Sequence, residues 1–169
     1  MAGGREERAS VRAAQRGSAS AIEALFRLHW PRAYRAAFLV VHDSGAAEDI
    51  AQESFLAAVR NLDRFDRRRP FGPWLHRIVV NRAIDWTRAR ALRGETELLD
   101  IVAGPEQPAS FDGSVLAALA ALPPEHRAVI VLRHLLEYTP GEISELLGLP
   151  RGTVNSRLRR GLDSLKETV

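Results

Sequence analysis

The stretch at 139–161, TPGEISELLGLPRGTVNSRLRRG, constrains the fold more tightly than any other part of the chain. Thr139, Pro140, Gly141 and Glu142 set a capping residue before a proline at the first helical position, with a glutamate three residues after the cap. That pattern starts a helix. Gly148 can take the left-handed conformation that ends one. Leu149 and Pro150 then lead into a second helix over about 151–166. Two short helices joined by a glycine-containing turn form a helix-turn-helix. Ile143, Leu147, Leu149, Val154 and Leu158 fall where the helices must pack, and Ser144 is small, as the crossing point requires. The second helix then exposes Arg151, Thr153, Asn155, Ser156, Arg159 and Arg160. These donors suit phosphates and base edges in a major groove. An ordinary helical hairpin is the alternative, but its outer face would have little reason to be so rich in donors and so poor in acids.

The remaining segments carry helical spacing and no period-two alternation, so the predicted fold class is all-α. Residues 1–18 read as a tail or loose helix. From 19 to 41 the apolar series is Ile22, Leu25, Phe26, Tyr34, Phe38 and Val41, with Pro31 expected to kink or split the helix. Residues 42–45 form a turn that can cap the next helix, whose buried stripe reads Ala51, Phe55, Val59 and Leu62. Residues 66–70 break regularity. A third helix begins near Phe71, with Pro73 tolerated in its first turn, and passes Trp86. Residues 93–112 hold two glycines, two prolines and no long apolar repeat. The expected organisation is two small helical domains, 19–92 and 113–169, joined by a flexible acidic linker at 93–112.

Charge is unevenly placed. Residues 60–94 hold ten arginines and three acids, a net of +7, whereas 95–112 hold five acids and no base. On charge alone the basic block fits a polyanion partner and a solvated arginine-rich helix equally well. The chain has no cysteine, which excludes disulfides, thiol nucleophiles and cysteine zinc sites. The first twenty residues lack the apolar core of a signal peptide, and no apolar run approaches a membrane span. The histidines do not pair at i, i+4 around an acid, and there is no phosphate-binding loop or nucleophile elbow. No enzyme, cofactor or metal is expected, and a reducing, cytoplasmic compartment fits.

Two further surfaces stand out. Asp49, Gln52, Glu53, Leu56 and Arg60 lie on one face of the second helix, opposite its buried stripe. A polar face with one leucine suits a protein contact, although spacing alone favours plain solvation. In 65–90, Phe65, Phe71, Trp74 and Trp86 interleave with arginines, Asn81 and Asp85. The spacing of Trp74 and Trp86 favours core packing, whereas the arginines and the loop at 63–70 suit nucleic acid.

Together these residues resemble the extracytoplasmic-function group of sigma-70 factors. The resemblance rests on AEDIAQESFLAAVR (47–60), FGPWLHRIVVNRAIDWTR (71–88) and LPPEHRAVIVLR (122–133) leading into the helix-turn-helix, in the family's order and spacing. It implies a sigma region 2 bundle that binds the clamp helices of the β′ subunit of core RNA polymerase and captures a base of the melted minus-ten element. It also implies a sigma region 4 that reads the minus-thirty-five element and contacts the β flap. Carried over by position, Asp49, Gln52, Glu53 and Leu56 face polymerase. Arg64, Arg67, Arg68, Arg69, Arg77, Asn81 and Arg88 face the minus-ten DNA, and Arg151, Thr153, Asn155, Ser156, Arg159 and Arg160 the minus-thirty-five DNA. An anti-sigma factor is a common partner in the family. Ser18 and Ala19 stand where a Gly-Asp pair is usual, a departure from the pattern. A helix-turn-helix regulator acting without polymerase would explain 139–161 but would leave 46–60 and the basic helix without a purpose. A sequestering protein would touch no DNA at all.

Overall fold

The structure, a computed structural model, describes residues 2–94 and 112–168. The described residues are helical, without strands, as the spacing predicts. Four helices form an N-terminal bundle: α1 (Ala2–Gln15), α2 (Ala19–Val41), α3 (Ser44–Arg60) and α4 (Phe71–Leu92). A 3₁₀ turn, Leu62–Arg64, follows α3. Four more form a C-terminal block: α5 (Gly113–Ala120), α6 (Pro124–Ile130), α7 (Pro140–Leu147) and α8 (Arg151–Thr168). The expected linker falls mostly at 95–111, outside the described residues.

Local chemistry explains the boundaries. Ser18 caps α2 by accepting from the Ala21 N–H, and Asp43 caps α3 by accepting from the Ala46 N–H at 2.9 Å. Gly17, at φ +89, reverses the chain between α1 and α2, a conformation that suits glycine. Gly17 and Ser18 thus supply the turn and the cap before α2. Pro31 does not split α2, which continues through it as one helix. The flanking turns are anchored by buried Leu25, Ala33 and Tyr34, and the missing donor is only one link in the ladder. Residues 2–15, expected as a tail or loose helix, lie against α2 with Val11 and Ala14 buried.

The second half of α2 is apolar on every side, and Ala36, Ala37, Phe38, Leu39, Val40 and Val41 are all buried. A helix of that kind must be covered all round. Helices α3 and α4 cover one side, and α5 and α6 of the C-terminal block cover another. The helix predicted through about Leu136 instead ends α6 at Ile130 and continues as a π-helical turn, Val131–Leu135. Glu137 follows at φ +63, which turns the chain and delivers Tyr138 toward α4.

Candidate nucleic-acid interface

The helix-turn-helix is built as its sequence demands. Thr139 accepts from the Glu142 N–H, the Glu142 carboxylate accepts from the Thr139 N–H at 2.7 Å, and Gly148 closes α7 at φ +65. Ser144 donates to the Leu149 carbonyl, which fixes the turn as well as keeping the crossing small. Ile143, Leu146, Val154 and Leu158 are buried, while Leu147 and Leu149 are half-buried. Arg151, Asn155, Arg159 and Arg160 are exposed on α8, with Thr153 and Ser156 partly covered. Sequence reasoning passed over Gly161. A Cβ there would sit 2.5 Å from Ile130 Cδ1, so glycine is what lets α8 lie this close to α6.

On α3, Asp49, Gln52, Glu53 and Leu56 are all exposed on one face, and Leu56 leaves 45% of its surface in water. Arg82 of α4 donates to Glu53 at 3.2 Å.

The basic segment is more structured than its sequence suggests. Arg68 Nε donates to both oxygens of Asp66, at 3.0 and 3.3 Å, and the Arg68 N–H adds a third bond. These bonds hold the Asp66 carboxyl below its usual range. Arg64, Arg67 and Arg69 project into solvent from the same loop. Beneath it, Phe65 stacks on Trp74 with centroids 4.6 Å apart, and Phe71 meets both edge-on. Gln15 of α1 reaches the loop and donates to the carbonyls of Leu62 and Phe65. On α4, Arg77 is exposed and Asn81 half-buried, and Trp86 lies under the Arg90 guanidinium.

The two helical units meet through polar contacts that sequence reasoning did not find. Arg127 of α6 is 1% exposed. Its guanidinium donates to the carbonyls of Leu119, Ala120 and Leu122 at the end of α5, and to Val40 at the end of α2. Helix C-termini carry partial negative charge and unpaired carbonyls, so both ends suit a cation. His76, 4% exposed, lies 2.7 Å from the Tyr138 hydroxyl. Burial first, then the charges of His29 and Arg32, push the His76 pKa down to about 4. Burial pushes the Tyr138 hydroxyl pKa up. Arg88 donates twice to Glu125 of α6, at 3.0 and 2.9 Å. Burial alone would raise the Glu125 carboxyl, but its own backbone N–H and Arg88 outweigh that and hold it below the usual range. A cleft of about 960 Å³ places Arg64, Arg69 and Arg77 across from Tyr138, Glu142 and Glu145. Among the described residues, no cluster is placed to hold a metal and no helix is long and apolar enough to cross a membrane.

A four-helix unit with a basic loop, followed by a helix-turn-helix with a donor-rich outer face, is the arrangement of a modular nucleic-acid-binding protein. Family comparison agrees in register. Sigma-70 region 2 matches residues 25–93, and Sigma-70, region 4 matches residues 112–165. The ECF RNA polymerase sigma factor SigW of Bacillus subtilis is 30% identical over 94% of each chain. The ECF RNA polymerase sigma factor SigM of Mycobacterium tuberculosis is 32% identical over 94% of this chain and 83% of its own. The solved structure of CnrH in complex with the cytosolic domain of CnrY superposes with a TM-score of 0.72 at 30% identity, covering 95% of both chains. The chain belongs to the sigma-70 family, in its extracytoplasmic-function group. It binds core RNA polymerase and directs promoter-specific initiation at minus-ten and minus-thirty-five elements.

Proposed function

We propose that α3 docks the chain on core polymerase through Asp49, Gln52, Glu53 and Leu56. The loop at 63–70, with Arg77, Asn81 and Arg88, then engages the melted minus-ten strand, and α8 reads the minus-thirty-five duplex. The polymerase contacts are the β′ clamp helices for the N-terminal unit and the β flap for the C-terminal one. The protein works in the cytoplasm as an initiation factor and catalyses no reaction itself. An anti-sigma factor is a fitting partner, and the similar CnrH is described in complex with the cytosolic domain of CnrY. The observation that carries the polymerase contact is Leu56, a large apolar side chain left in water at the centre of a polar face. A regulator that used DNA alone would have no use for it. Run-off transcription with purified core is the test. Glu53→Arg should weaken core binding and initiation together while helicity is kept. Unaltered co-purification with core would remove the α3 assignment.

The same geometry supports self-masking in the free protein. The five acids at 95–112 would suit such a mask, but 95–111 lies outside the described residues. Beside the N-terminal unit's own Asp66 and Asp85, the C-terminal block brings acids to the basic surface: Glu125 on Arg88, and Glu142 and Glu145 across the cleft from Arg64, Arg69 and Arg77. The outer face of α8 stays exposed meanwhile. Docking on core would have to separate the two units before the minus-ten surface is usable.

A further inference from the structure

Helix α1 lies outside the sigma-70 region 2 match, which begins at residue 25. Its last residue is nevertheless bonded to the loop assigned above to the minus-ten strand. Gln15 Nε2 donates to the Leu62 carbonyl at 2.8 Å and to the Phe65 carbonyl at 3.1 Å. These carbonyls bracket the 3₁₀ turn of Leu62–Arg64, 47 and 50 residues further along the chain. Both partners can only accept, so the orientation of the amide is decided: its nitrogen faces the turn. The side-chain oxygen has no hydrogen-bond partner among the described residues, and Gln15 lines a pocket beside the turn. That pocket, about 530 Å³ and open to solvent, is completed by Asp63, Phe65, Asp66, Arg67 and Arg68.

The reach of Gln15 is set by its surroundings. Gly17 at φ +89 ends α1 just beyond it, with the Gly17 and Ser18 N–H groups bonded back to Ala14 and Ala13. Val11 and Ala14 are buried, which fixes the azimuth of the helix. Earlier in α1, Gly4, Glu7, Arg8 and Val11 flank the other side of the loop, opposite Arg67, Arg69 and Pro70. Helix α1 is therefore a wall of the loop along its length. Within the turn the Leu62 carbonyl already accepts from the Phe65 N–H at 3.1 Å, and the two-donor amide from a packed helix adds a second tie there and one at the Phe65 carbonyl.

We infer that Gln15 is a positioning residue for base capture: it holds the Leu62–Arg64 turn so that the pocket beside it keeps one shape for the extruded base. This rests on the reading of 63–70 as the minus-ten loop. The test uses full-length chain with core polymerase, and run-off yield on promoters carrying each base at every minus-ten position in turn. Gln15→Met keeps length but removes both donors. Gln15→Glu points a carboxylate at two carbonyls. Gln15→Lys restores donors on a stem long enough to reach. Met and Glu should reduce the ratio of best to worst base by roughly three- to tenfold, equivalent to one or two neutral hydrogen bonds, while Lys stays within about twofold of the parent. Core affinity should be unchanged in all three. Equal profiles for parent, Met and Glu would overturn the inference, as would a loss of core affinity parallel to the loss of discrimination. Arg67→Ala separates the two levels. If it too leaves every profile unchanged, the loop reading itself fails; if it alters the profile and the Gln15 variants do not, only the role of Gln15 falls.

Discussion

Tyr138→Phe is the sharpest test of whether the free protein holds its two units together. The substitution removes one oxygen and keeps the ring. The Tyr138 hydroxyl and His76 Nδ1 are 2.7 Å apart, across the junction of α4 with the C-terminal block. A neutral hydrogen bond contributes about 0.5–1.5 kcal/mol, and a buried group left without a partner costs about 1–3 kcal/mol. His76 is 4% exposed, so water replaces the lost partner poorly. The expected loss is about 1–2 kcal/mol, which lowers the ratio of joined to separated forms roughly 5–30-fold. The Arg88–Glu125 pair cannot make this good, because its arginine is more than half exposed and such pairs contribute about 0–1 kcal/mol. The chain has no cysteine, so Glu48→Cys on α3 and Ser164→Cys on α8 give two clean sites for fluorescent labels. Energy transfer between them should fall in Tyr138→Phe, and affinity of the free protein for a single-stranded minus-ten oligonucleotide should rise. If transfer and DNA affinity both match the parent, the junction does not control access to the basic surface. A lowered Tm with unchanged transfer would mean that the bond stabilises the fold and nothing more.

Acidification should loosen the same junction. The His76 pKa is lowered from 6.5 to about 4 and that of His42 to about 3, so both rings are held neutral. Their contribution is complete above pH 6.5 and is lost as pH falls toward the folded values. For His76 the loss reaches roughly 2 kcal/mol by pH 5. His29, Arg32 and Glu7 also bear on His76, and its Nε2 is buried without a hydrogen-bond partner among the described residues, so a proton there would be poorly served. Melting from pH 7 to 5 should show the decline, and His76→Gln should flatten it in part. Gly161→Ala should destabilise the C-terminal block by about 1–3 kcal/mol through the clash with Ile130, and Ile130→Val, which removes the nearest carbon, should recover most of this in a double-mutant cycle. Asn155→Ala should relax preference at one minus-thirty-five position by about 1–3 kcal/mol, whereas Arg151→Ala should weaken all sequences alike and reduce the salt slope by about one. Binding titrations at several salt concentrations separate the two outcomes.

What could be read in advance divides by sequence distance. The α7–α8 motif was legible because caps, Pro140 and Gly148 act within a few residues, and the face of α3 because exposure follows helical period. The junction was not. Tyr138 and His76 are 62 residues apart, and Arg127 reads as a surface charge until α5 and α2 place their carbonyls around it. One signal was available and passed over: AAFLVV at 36–41 is apolar on every face, more than one bundle side can cover. The seating of α1 was hidden for the opposite reason, since its buried surface is made of Val11 and Ala14, too small to raise a strong periodic signal. Pro31 misled because a local rule about a missing donor says nothing of how firmly the neighbouring turns are packed.

The bond from Arg127 to Val40 joins a side chain to a backbone oxygen. Every residue at position 40 carries that oxygen, so on the α2 side the tie is blind to mutation. Divergence could rewrite the exposed surfaces of the N-terminal bundle, and with them promoter preference, without loosening this link, provided that α2 ends at the same height. A C-terminal block grafted onto another bundle of this family would therefore find its anchor already in place if the helix length matches. Inserting a single residue before position 40, by contrast, would rotate the end of α2 by about a quarter turn and move the acceptor away.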